Sequence, residues 1–388
     1  MVGKESVKIG KKKEVQRTER KKLSAGEKIG NLEEEISNTK YNKRTQHAVG
    51  LLKAKLAMLK ERAVQRAGAG KGKGDDRFSV RKTGDGTVVL LGFPSVGKST
   101  LLNKLTSAKS DIAQYSFTTL SAVPGVLKYK HANIQIIDVP GIVSGAAAGR
   151  GRGKEVLGML RTAELILVLI DALYPQHYPA ILREIYETGI RINTVKPDVK
   201  ITKKERGGLG VGTTVKLTKL DKKTIIDIAR EMKLNNADIL IRSDIDADQL
   251  IDIINGDTVY TNALTVITKM DLVDQPKLSR LVEDIKPDSV ISAEKNIGLD
   301  ELKEQIYQKM GFIRIFLKEI NKKPDMEEPL IMFRNCTIND VCSKLHKDFV
   351  NKFKYARIWG ESAKFDAQVI RKLDKVLHDK DVLELHIR

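Results

Sequence analysis

Short runs rich in apolar residues recur along the middle of the chain, each long enough for one buried strand. They occupy residues 87–91, 134–137, 165–170, 263–267 and 288–291. Runs of this kind are typical of strands covered on both faces, as in parallel sheets. Stretches with helical spacing of apolar residues follow them. The pattern predicts an α/β fold on a parallel sheet, which binds ligands at the carboxyl ends of its strands.

The loop after the first run has the spacing of a phosphate-binding loop between a strand and a helix. Its residues are Gly92, Phe93, Pro94, Ser95, Val96, Gly97, Lys98, Ser99 and Thr100. The glycines let backbone N–H groups turn towards the β-phosphate, Lys98 reaches the β- and γ-phosphates, and the Ser99 hydroxyl can ligate Mg²⁺. We therefore predict a nucleoside triphosphate as ligand, with Lys98 as a catalytic residue.

The second run ends in Asp138-Val139-Pro140-Gly141. A carboxylate at this edge of a parallel sheet can hold Mg²⁺ through its water shell, and the Gly141 N–H can sense the γ-phosphate. Asp-x-x-Gly by itself is a common turn sequence. Its position after a phosphate-binding loop gives Asp138 a predicted role at the metal and Gly141 one in catalysis.

Base selection is predicted at Thr268, Lys269 and Asp271, which follow the run 263–267. The Asp271 carboxylate can accept from the ring N–H and the exocyclic amine of guanine, whereas adenine presents a lone pair at the ring position. A polar site rejects a ligand that leaves its groups unpaired. We therefore expect guanine, with Ser292 and Ala293 offering backbone N–H groups to the base oxygen.

Taken together, these segments resemble the developmentally regulated GTP-binding proteins, Obg-like members of the translation-factor class of GTPases. The resemblance covers nearly the whole chain and is most specific at residues 50–57, 92–102, 115–120 and 141–153. It implies a GTPase that binds GTP and GDP, with Thr119 as the switch threonine that ligates Mg²⁺ beside the γ-phosphate. Thr118 is the alternative for that role.

Three positions depart from similar GTPases. Thr268 stands where an asparagine usually bridges base and phosphate loop, so we expect weak nucleotide binding in the micromolar range. Ile142 stands where many switch GTPases hold the attacking water with glutamine, and its side chain has no hydrogen-bonding group. Ser95 replaces the asparagine that often ligates K⁺, so potassium dependence stays open. Intrinsic hydrolysis should therefore be slow.

Three kinds of group could accelerate hydrolysis. A partner protein could supply an arginine, Arg150 or Arg152 could act within the chain, or K⁺ could bind near the phosphates. The alternative is that both arginines are solvated charges. Both lie in the glycine-rich residues 141–153, which cannot form a packed core and which we interpret as the second switch rather than a plain surface loop.

Ala263 begins 93 residues after Ile170, far more than the ~30 of one βαβ unit. We predict an inserted α+β domain at 174–249, with strands at 193–195 and 215–217, a helix at 222–232 and a basic loop near 203–210. By resemblance it has the fold of the second domain of ribosomal protein S5. The GTPase domain then takes 83–173 and 250–311.

Positive charge is concentrated at the amino terminus. Residues 1–82 contain 23 Lys and Arg against 10 Asp and Glu, which is +13 of the formal +19. Apolar residues with helical spacing at 27–37 and 49–59 predict a helical hairpin joined near 38–42, with a disordered arm at 4–22. Such a charge favours RNA or the ribosome as partner. The alternative is a solvated hairpin that only supports the GTPase domain.

Beyond Phe312 the chain predicts a small α/β module at 312–388. Strands at 313–317 and 382–387 flank a helix at 338–349, capped by Thr337 with Asp340 three residues later. This segment resembles the TGS domain, a β-grasp fold found in RNA- and ribosome-associated proteins. For Trp359, the only tryptophan, we favour core packing over base stacking.

Composition limits the remaining possibilities. No apolar run approaches the ~20 residues of a membrane span, and the amino terminus lacks a secretory signal. The two cysteines, without metal-ligand spacing, favour reduced thiols and a cytoplasmic protein. We expect a ribosome- or RNA-associated GTPase, with a scaffold whose nucleotide site is structural as the alternative. A monomer is favoured, and the resemblance allows an activating or stabilising partner protein.

Overall fold

The computed structural model describes residues 24–40, 42–68, 84–106, 123–139 and 153–387. Within these ranges the α-helices are α1 (Ala25–Asn38), α2 (Gln46–Gly68), α3 (Lys98–Leu105), α4 (Gly153–Thr162), α5 (His177–Glu187), α6 (Lys222–Glu231), α7 (Ala247–Asn255), α8 (Gln275–Ile285), α9 (Leu299–Met310), α10 (Ile338–Leu345) and α11 (Lys347–Lys352).

The strands in the same ranges, in chain order, are β1 (Gly86–Leu91), β2 (Val123–Tyr129), β3 (Ala132–Asp138), β4 (Leu165–Asp171), β5 (Ile190–Ile192), β6 (Val199–Lys203), β7 (Leu209–Thr213), β8 (Ala237–Ile241), β9 (Val259–Thr268), β10 (Ser289–Val290), β11 (Phe312–Leu317), β12 (Leu330–Phe333), β13 (Phe353–Trp359), β14 (Gln368–Ile370) and β15 (Val382–Ile387). The chain divides into two units, one of residues 1–71 and 197–256 and the other of residues 72–196 and 257–388.

The larger unit is built on a sheet with the strand order β10-β9-β4-β1-β3-β2, and β5 extends it by pairing with β9. β1 pairs in parallel with β3 and β4, and β4 with β9, so their carboxyl ends share one edge. β2 is antiparallel to β3. The predicted α/β class is confirmed, because the buried apolar runs became strands of one mostly parallel sheet.

Alternate residues of the central strands enter two apolar layers. Val88 and Leu90 of β1 pack with residues of α3 and α9, whereas Val89 and Leu91 pack on the opposite side with residues of α4 and α5. All residues of β1 and β4 are buried. A strand buried on both faces needs no polar alternation, which is why these strands read as continuous apolar runs.

The larger unit also contains a five-stranded sheet with the order β12-β11-β15-β13-β14. β11 and β15 are parallel, and the neighbouring pairs are antiparallel. Thr337 and Asp340 form the predicted capping box at the start of α10. The predicted helix 338–349 is interrupted, because His346 is extended and begins α11 as its N-cap.

The smaller unit joins the helical hairpin to the inserted segment. Its sheet has the order β6-β8-β7, and Ala54 of α2 belongs to the same apolar cluster as Ile225 and Ile228 of α6. His47 lies 2.9 Å from Asp227, and Lys53 Nζ lies 2.6 Å from Asp248. The hairpin therefore shares a hydrophobic core with residues 197–256.

The bounds of the inserted segment differ from the predicted 174–249. Residues 177–187 form α5 beside the large sheet, and β5 pairs with β9. The predicted strand at 193–195 is wrong, because Asn193 has a φ of 51° and turns the chain. The predicted strand at 215–217 is also wrong: the strands are β6 and β7, on either side of the basic loop. The predicted helix at 222–232 is present as α6.

The two cysteines lie in the core of the five-stranded module and are free thiols. Burial raises the pKa of Cys336 to about 11, and burial also raises that of Cys342. Among the described residues, none of the helices combines the length and the apolar content that crossing a bilayer requires.

Gly50 lies where α2 contacts α6, so it provides a test of the shared core. A Cβ atom at Gly50 would lie 3.1 Å from Ile228 Cδ1 and 3.4 Å from Thr224 Cγ2. We expect Gly50→Leu to destabilise this unit by about 1–3 kcal/mol, because the extra atoms overpack the contact. Urea titration followed by circular dichroism measures the change.

The matched control is Ala48→Leu, two residues away on the exposed side of α2. It should leave the unfolding midpoint nearly unchanged. An equal loss of stability in both variants would contradict the proposed close contact between α2 and α6.

Candidate functional site

The predicted ligand residues that the structure describes lie at one edge of the large sheet. The loop 92–97 follows β1, Asp138 ends β3, Thr268 ends β9, and Ser292 follows β10. Parallel pairing of β1, β3, β4, β9 and β10 aligns their carboxyl ends. Segments separated by up to about half the chain length are therefore adjacent, as expected for ligand sites of open α/β sheets.

The loop between β1 and α3 depends on two glycines. A Cβ at Gly92 would come within 2.9 Å of the Leu169 carbonyl oxygen. Gly97 has a φ of 99° and is the N-cap of α3. Ser95 has a φ of 63° in the same loop. Left-handed backbone in a loop that leads into a helix N-terminus is typical of phosphate-binding loops. Pro94, Ser95, Ser99 and Thr100 are exposed.

Lys98 is buried at the base of this loop, with 8% of its surface exposed. Its Nζ donates to the carbonyl oxygens of Gly92 and Phe93, each at 3.0 Å. Burial lowers the pKa of Lys98, and the carboxylate of Asp138 opposes that shift. The amine is therefore held under the loop by two carbonyl groups of the loop itself.

Ser99 and Asp138 are brought into direct contact. Ser99 Oγ donates to Asp138 Oδ2 at 2.8 Å. The other carboxylate oxygen, Asp138 Oδ1, is buried and has no hydrogen-bond partner in the described part of the chain. A hydroxyl and a carboxylate are the hard oxygen ligands that Mg²⁺ prefers. This pair therefore fits the predicted metal site.

Thr268 connects the predicted base site to the phosphate loop. Its hydroxyl lies 2.8 Å from the Val96 carbonyl and 3.2 Å from that of Ile170, and the residue is buried. A hydroxyl has one hydrogen to donate. An asparagine amide would offer two, so Thr268 makes the bridge to the loop with one donor fewer.

Lys269 adopts a left-handed backbone with a φ of 57°, and its Nζ donates to Asp171 Oδ2 at 2.7 Å. Sequence reasoning missed Asp171, although it ends the buried strand β4 just as Asp138 ends β3. A carboxylate closing an apolar run was the pattern that could have identified it. The ion pair fixes the direction of the Lys269 side chain.

Asp271 and Ser292 come together across two loops, but the Ser292 N–H already donates to the Ile297 carbonyl at 3.1 Å. Its predicted contact with the base oxygen therefore stays a prediction. A hydrogen bond from the Ser292 side chain lowers the pKa of Asp271 below its usual range, with Lys295 contributing. Lys295 Nζ lies 3.8 Å from Asp271 Oδ2. The Met270 N–H donates to the Ile291 carbonyl and fixes the two loops together. Asp271 is therefore kept ionised as an acceptor, while Ala293 packs against the core.

An aromatic cluster beside the phosphate loop was also missed. The rings of Phe93 and His177 stack at 4.0 Å between centroids, and Tyr174 stacks on His177 at 5.7 Å. They border a cavity of about 370 Å³ together with Ser95 and Lys269. The residues carry no sequence motif, and only the packing of α5 against the loop brings them together.

Several predicted residues lie outside the described residues. These are Thr118, Thr119, Gly141, Ile142, Arg150 and Arg152, with the glycine-rich segment from residue 145 to residue 152. Their predicted roles stay predictions.

The fold and the loop between β1 and α3 define the class of protein, a P-loop nucleotide-binding protein. Family models agree with this class. Residues 87–204 match a model described as 50S ribosome-binding GTPase, residues 206–312 match the C-terminal region of the MMR_HSR1 domain, and residues 313–387 match the TGS domain.

Relatives with known names resemble almost the whole chain. A GTP-binding protein of Methanocaldococcus jannaschii is 51% identical over 366 residues, 93% of each chain. Developmentally-regulated GTP-binding protein 1 of Xenopus laevis is 40% identical over 92% of this chain and 98% of that protein. Human developmentally-regulated GTP-binding protein 2 is 39% identical over 92% of this chain and 98% of that protein. The chain belongs to the family of developmentally regulated GTP-binding proteins.

Similar solved structures were also found. One is the YchF GTPase of Schizosaccharomyces pombe, which is 13% identical over 79% of this chain and 99% of that one, with a TM-score of 0.41. A GTP-binding protein from Pyrococcus horikoshii is 14% identical over 78% of this chain and 100% of that one, with a TM-score of 0.38.

Substitution of Thr268 tests the bridge to the phosphate loop. We expect Thr268→Asn to tighten GDP binding, because the amide supplies the second donor, and Thr268→Val to weaken it about tenfold, because the Val96 carbonyl loses its partner. Titration with a fluorescent GDP analogue measures both. Thr265→Val, on the same strand but without a contact to the loop in the described structure, is the control. Unchanged affinity in both Thr268 variants would disprove the bridging role.

Proposed function

We propose that this GTPase is a slow molecular switch that binds GTP with Mg²⁺ and acts on the ribosome or on RNA. The observation that carries the nucleotide part is the pairing of Ser99 with Asp138 under the phosphate-binding loop, with Asp138 Oδ1 buried and unpaired in the described structure. A buried carboxylate oxygen without a partner is costly unless a ligand supplies one. Magnesium held on a triphosphate would do so.

Guanine selection rests on Asp271. The hydrogen bond from Ser292 and the charge of Lys295 keep its carboxylate ionised, so it accepts the two donors on the guanine edge. Lys269 precedes Asp271 by two residues, and its amine is fixed by Asp171. The methylene groups of its side chain offer a surface on which the base would pack. Adenine would place an acceptor against Asp271 and lose affinity.

Hydrolysis requires positioning and charge neutralisation of the transferring phosphoryl group. Lys98 would supply positive charge at the β- and γ-phosphates, and Ser99, Thr119 and Asp138 would hold Mg²⁺. The ion supplies electrostatic stabilisation of the phosphate oxygens. Ile142 cannot orient a water molecule, so the unassisted rate is low. K⁺, Arg150, Arg152 or a partner's arginine would raise it.

The RNA or ribosome partner is supported by charge and by family. The excess of positive charge at residues 1–82 favours phosphate backbones, and Lys43 and Arg44 are exposed at the turn between α1 and α2. The matched family model is described as a 50S ribosome-binding GTPase. We place this activity in the cytoplasm, in a monomer that a stabilising protein could join.

Phosphate release tests the enzyme. The wild-type protein should release phosphate from GTP slowly and lose the activity in EDTA, and Lys98→Ala should abolish it, because the charge at the γ-phosphate is gone. Lys104→Ala, exposed on the same helix, is the matched control. Comparing KCl with NaCl shows whether K⁺ contributes. Equal rates for the wild type and Lys98→Ala would favour a scaffold whose nucleotide site is structural.

Co-sedimentation with ribosomes at increasing salt tests the partner. Removal of residues 1–82 would destroy the core that α2 shares with α6, so the informative variants are a truncation of residues 1–23 and the double change Lys43→Gln with Arg44→Gln. Each should weaken association and reduce its salt dependence, by about 0.7 in the log–log slope for each phosphate that the protein no longer neutralises.

The control for the double change is Lys277→Gln with Arg280→Gln, which removes the same charge from the exposed side of α8. Association that is unaffected by the truncation and by the hairpin change would disprove an electrostatic role for the amino-terminal part of the chain.

A further inference from the structure

The five-stranded sheet of residues 312–387 has an inner face and an outer face of different character. Ile313 and Ile315 of β11, Ala356 and Ile358 of β13 and Leu383 of β15 form the inner face, which packs on α10. Because side chains alternate along a strand, the intervening residues lie on the outer face. Trp359 is one of them, so the expectation that it packs in the core is wrong.

Strand register arranges these outer residues in rows. Phe316, Val382 and Trp359 lie side by side on β11, β15 and β13. The adjacent row contains Lys318, Glu384 and Arg357, and Val369 of β14 continues it. His386 and Tyr355 form the next row. A row of charged residues therefore runs between two rows that carry aromatic rings.

One part of the outer face packs against the rest of the larger unit, and the other part borders solvent. At its β12 side, Phe312 and Ile331 enter the apolar core under the nucleotide-binding sheet, and Phe312 packs 5.5 Å from the Tyr307 ring. At its β13 side the surface is partly open to solvent, with Trp359, Tyr355 and His386 half-buried. The Arg357 side chain is 44% exposed, and Val369 is 47% exposed.

The charges of the open part do not balance. Glu384 is 1% exposed and is contacted by Lys318, by His386 Nε2 at 2.7 Å and by Arg357 at 3.5 Å. Burial raises the pKa of Glu384, but hydrogen bonds from Lys318 and His386 outweigh it and the pKa is lowered. One carboxylate faces two permanent cations, so the row has a net positive charge.

Arg357 is the cation with capacity for a ligand. Its contact to Glu384 is long, and a guanidinium has five N–H donors. Lys318, by contrast, is largely buried and lies with its Nζ 5.1 Å from the centre of the Trp359 ring. The exposed donors of Arg357 therefore stand between Trp359 and Tyr355 on the same strand.

The aromatic rings are held in fixed positions. Tyr355 and His386 stack with centroids 4.2 Å apart and planes 16° from parallel. The cation beside Trp359 holds that ring in place. Ordered rings that are partly exposed, next to an exposed guanidinium, suit bases that stack on the remaining ring surface and phosphates that accept from the guanidinium.

We propose that the β13 and β15 part of this outer face binds unpaired bases of single-stranded RNA, with Trp359 and Tyr355 as stacking residues and Arg357 on the phosphate backbone. This inference rests on the proposed function, because it assigns a site to the RNA partner. An acidic protein segment would satisfy Arg357 but would not use the stacked rings, so RNA is the occupant that the surface fits.

Trp359 makes the site directly observable, because it is the only tryptophan of the chain. The experiment titrates the full-length protein with a short single-stranded oligoadenylate and follows tryptophan fluorescence. We expect quenching that saturates, since a base stacked on the indole ring alters its emission. Inorganic polyphosphate, RNA duplex and polyglutamate should not reproduce it, because none presents unpaired bases.

Variants separate stacking from folding. Tyr355→Leu keeps an apolar side chain in the sheet and should weaken oligoadenylate binding about tenfold, whereas Tyr355→Phe should restore wild-type affinity. Arg357→Gln should weaken binding and reduce its salt dependence. Tyr186→Ala removes an aromatic residue that is 47% exposed on α5 and should have no effect. Circular dichroism verifies that each variant is folded.

The outcomes distinguish this site from the general proposal. If fluorescence anisotropy of labelled oligoadenylate shows binding while Trp359 emission and the Tyr355→Leu affinity are unchanged, the RNA partner stands and this site is wrong. If quenching occurs with polyglutamate but not with RNA, the face binds acidic protein and the inference is overturned. If no RNA binds at all, both the site and the direct RNA contact in the proposed function fail.

Discussion

The parallel pairing of β1 with β3, β4 and, through β4, β9 is the constraint on which the site depends. It places the phosphate-binding loop, Asp138 and Thr268 at one edge of the sheet, although they are distant in sequence. The hydrogen bond from Thr268 Oγ1 to the Val96 carbonyl then links β9 to the loop after β1. Because Thr268 is buried, its hydroxyl cannot exchange its partner for water, and the link fixes the loop relative to the carboxyl end of β9.

Carboxylates at strand ends organise the same edge. Asp138 accepts a hydrogen bond from the Ser99 hydroxyl, and Asp171 accepts one from Lys269. Asp271 interacts with Ser292 and Lys295. Each acidic group contacts a residue from another segment of the chain, so these segments are held at fixed separations before any ligand is considered. Such preorganisation reduces the cost of positioning a charged ligand.

In the smaller unit, small residues determine how closely the helices pack. Gly50 and Ala54 let α2 approach α6 closely. The contact of His47 with Asp227 and the ion pair of Lys53 with Asp248 then connect the hairpin to α6 and α7. The predicted boundaries treated hairpin and insertion as separate domains, because helical spacing identifies an apolar stripe but not the surface that it covers. The glycines of β7 hid a strand for a similar reason: a strand without large side chains has little periodic pattern.

The sequence by itself determined the features that lie within one continuous segment. The buried strands, the phosphate-binding loop and the capping box at Thr337 each depend on neighbouring residues, so spacing and residue type determine them. The tertiary structure alone decided which distant groups meet. Asp171 with Lys269, the stack of Phe93 on His177, and Trp359 on an outer sheet face follow from strand order and register, because those contacts arise only after separate elements pack together.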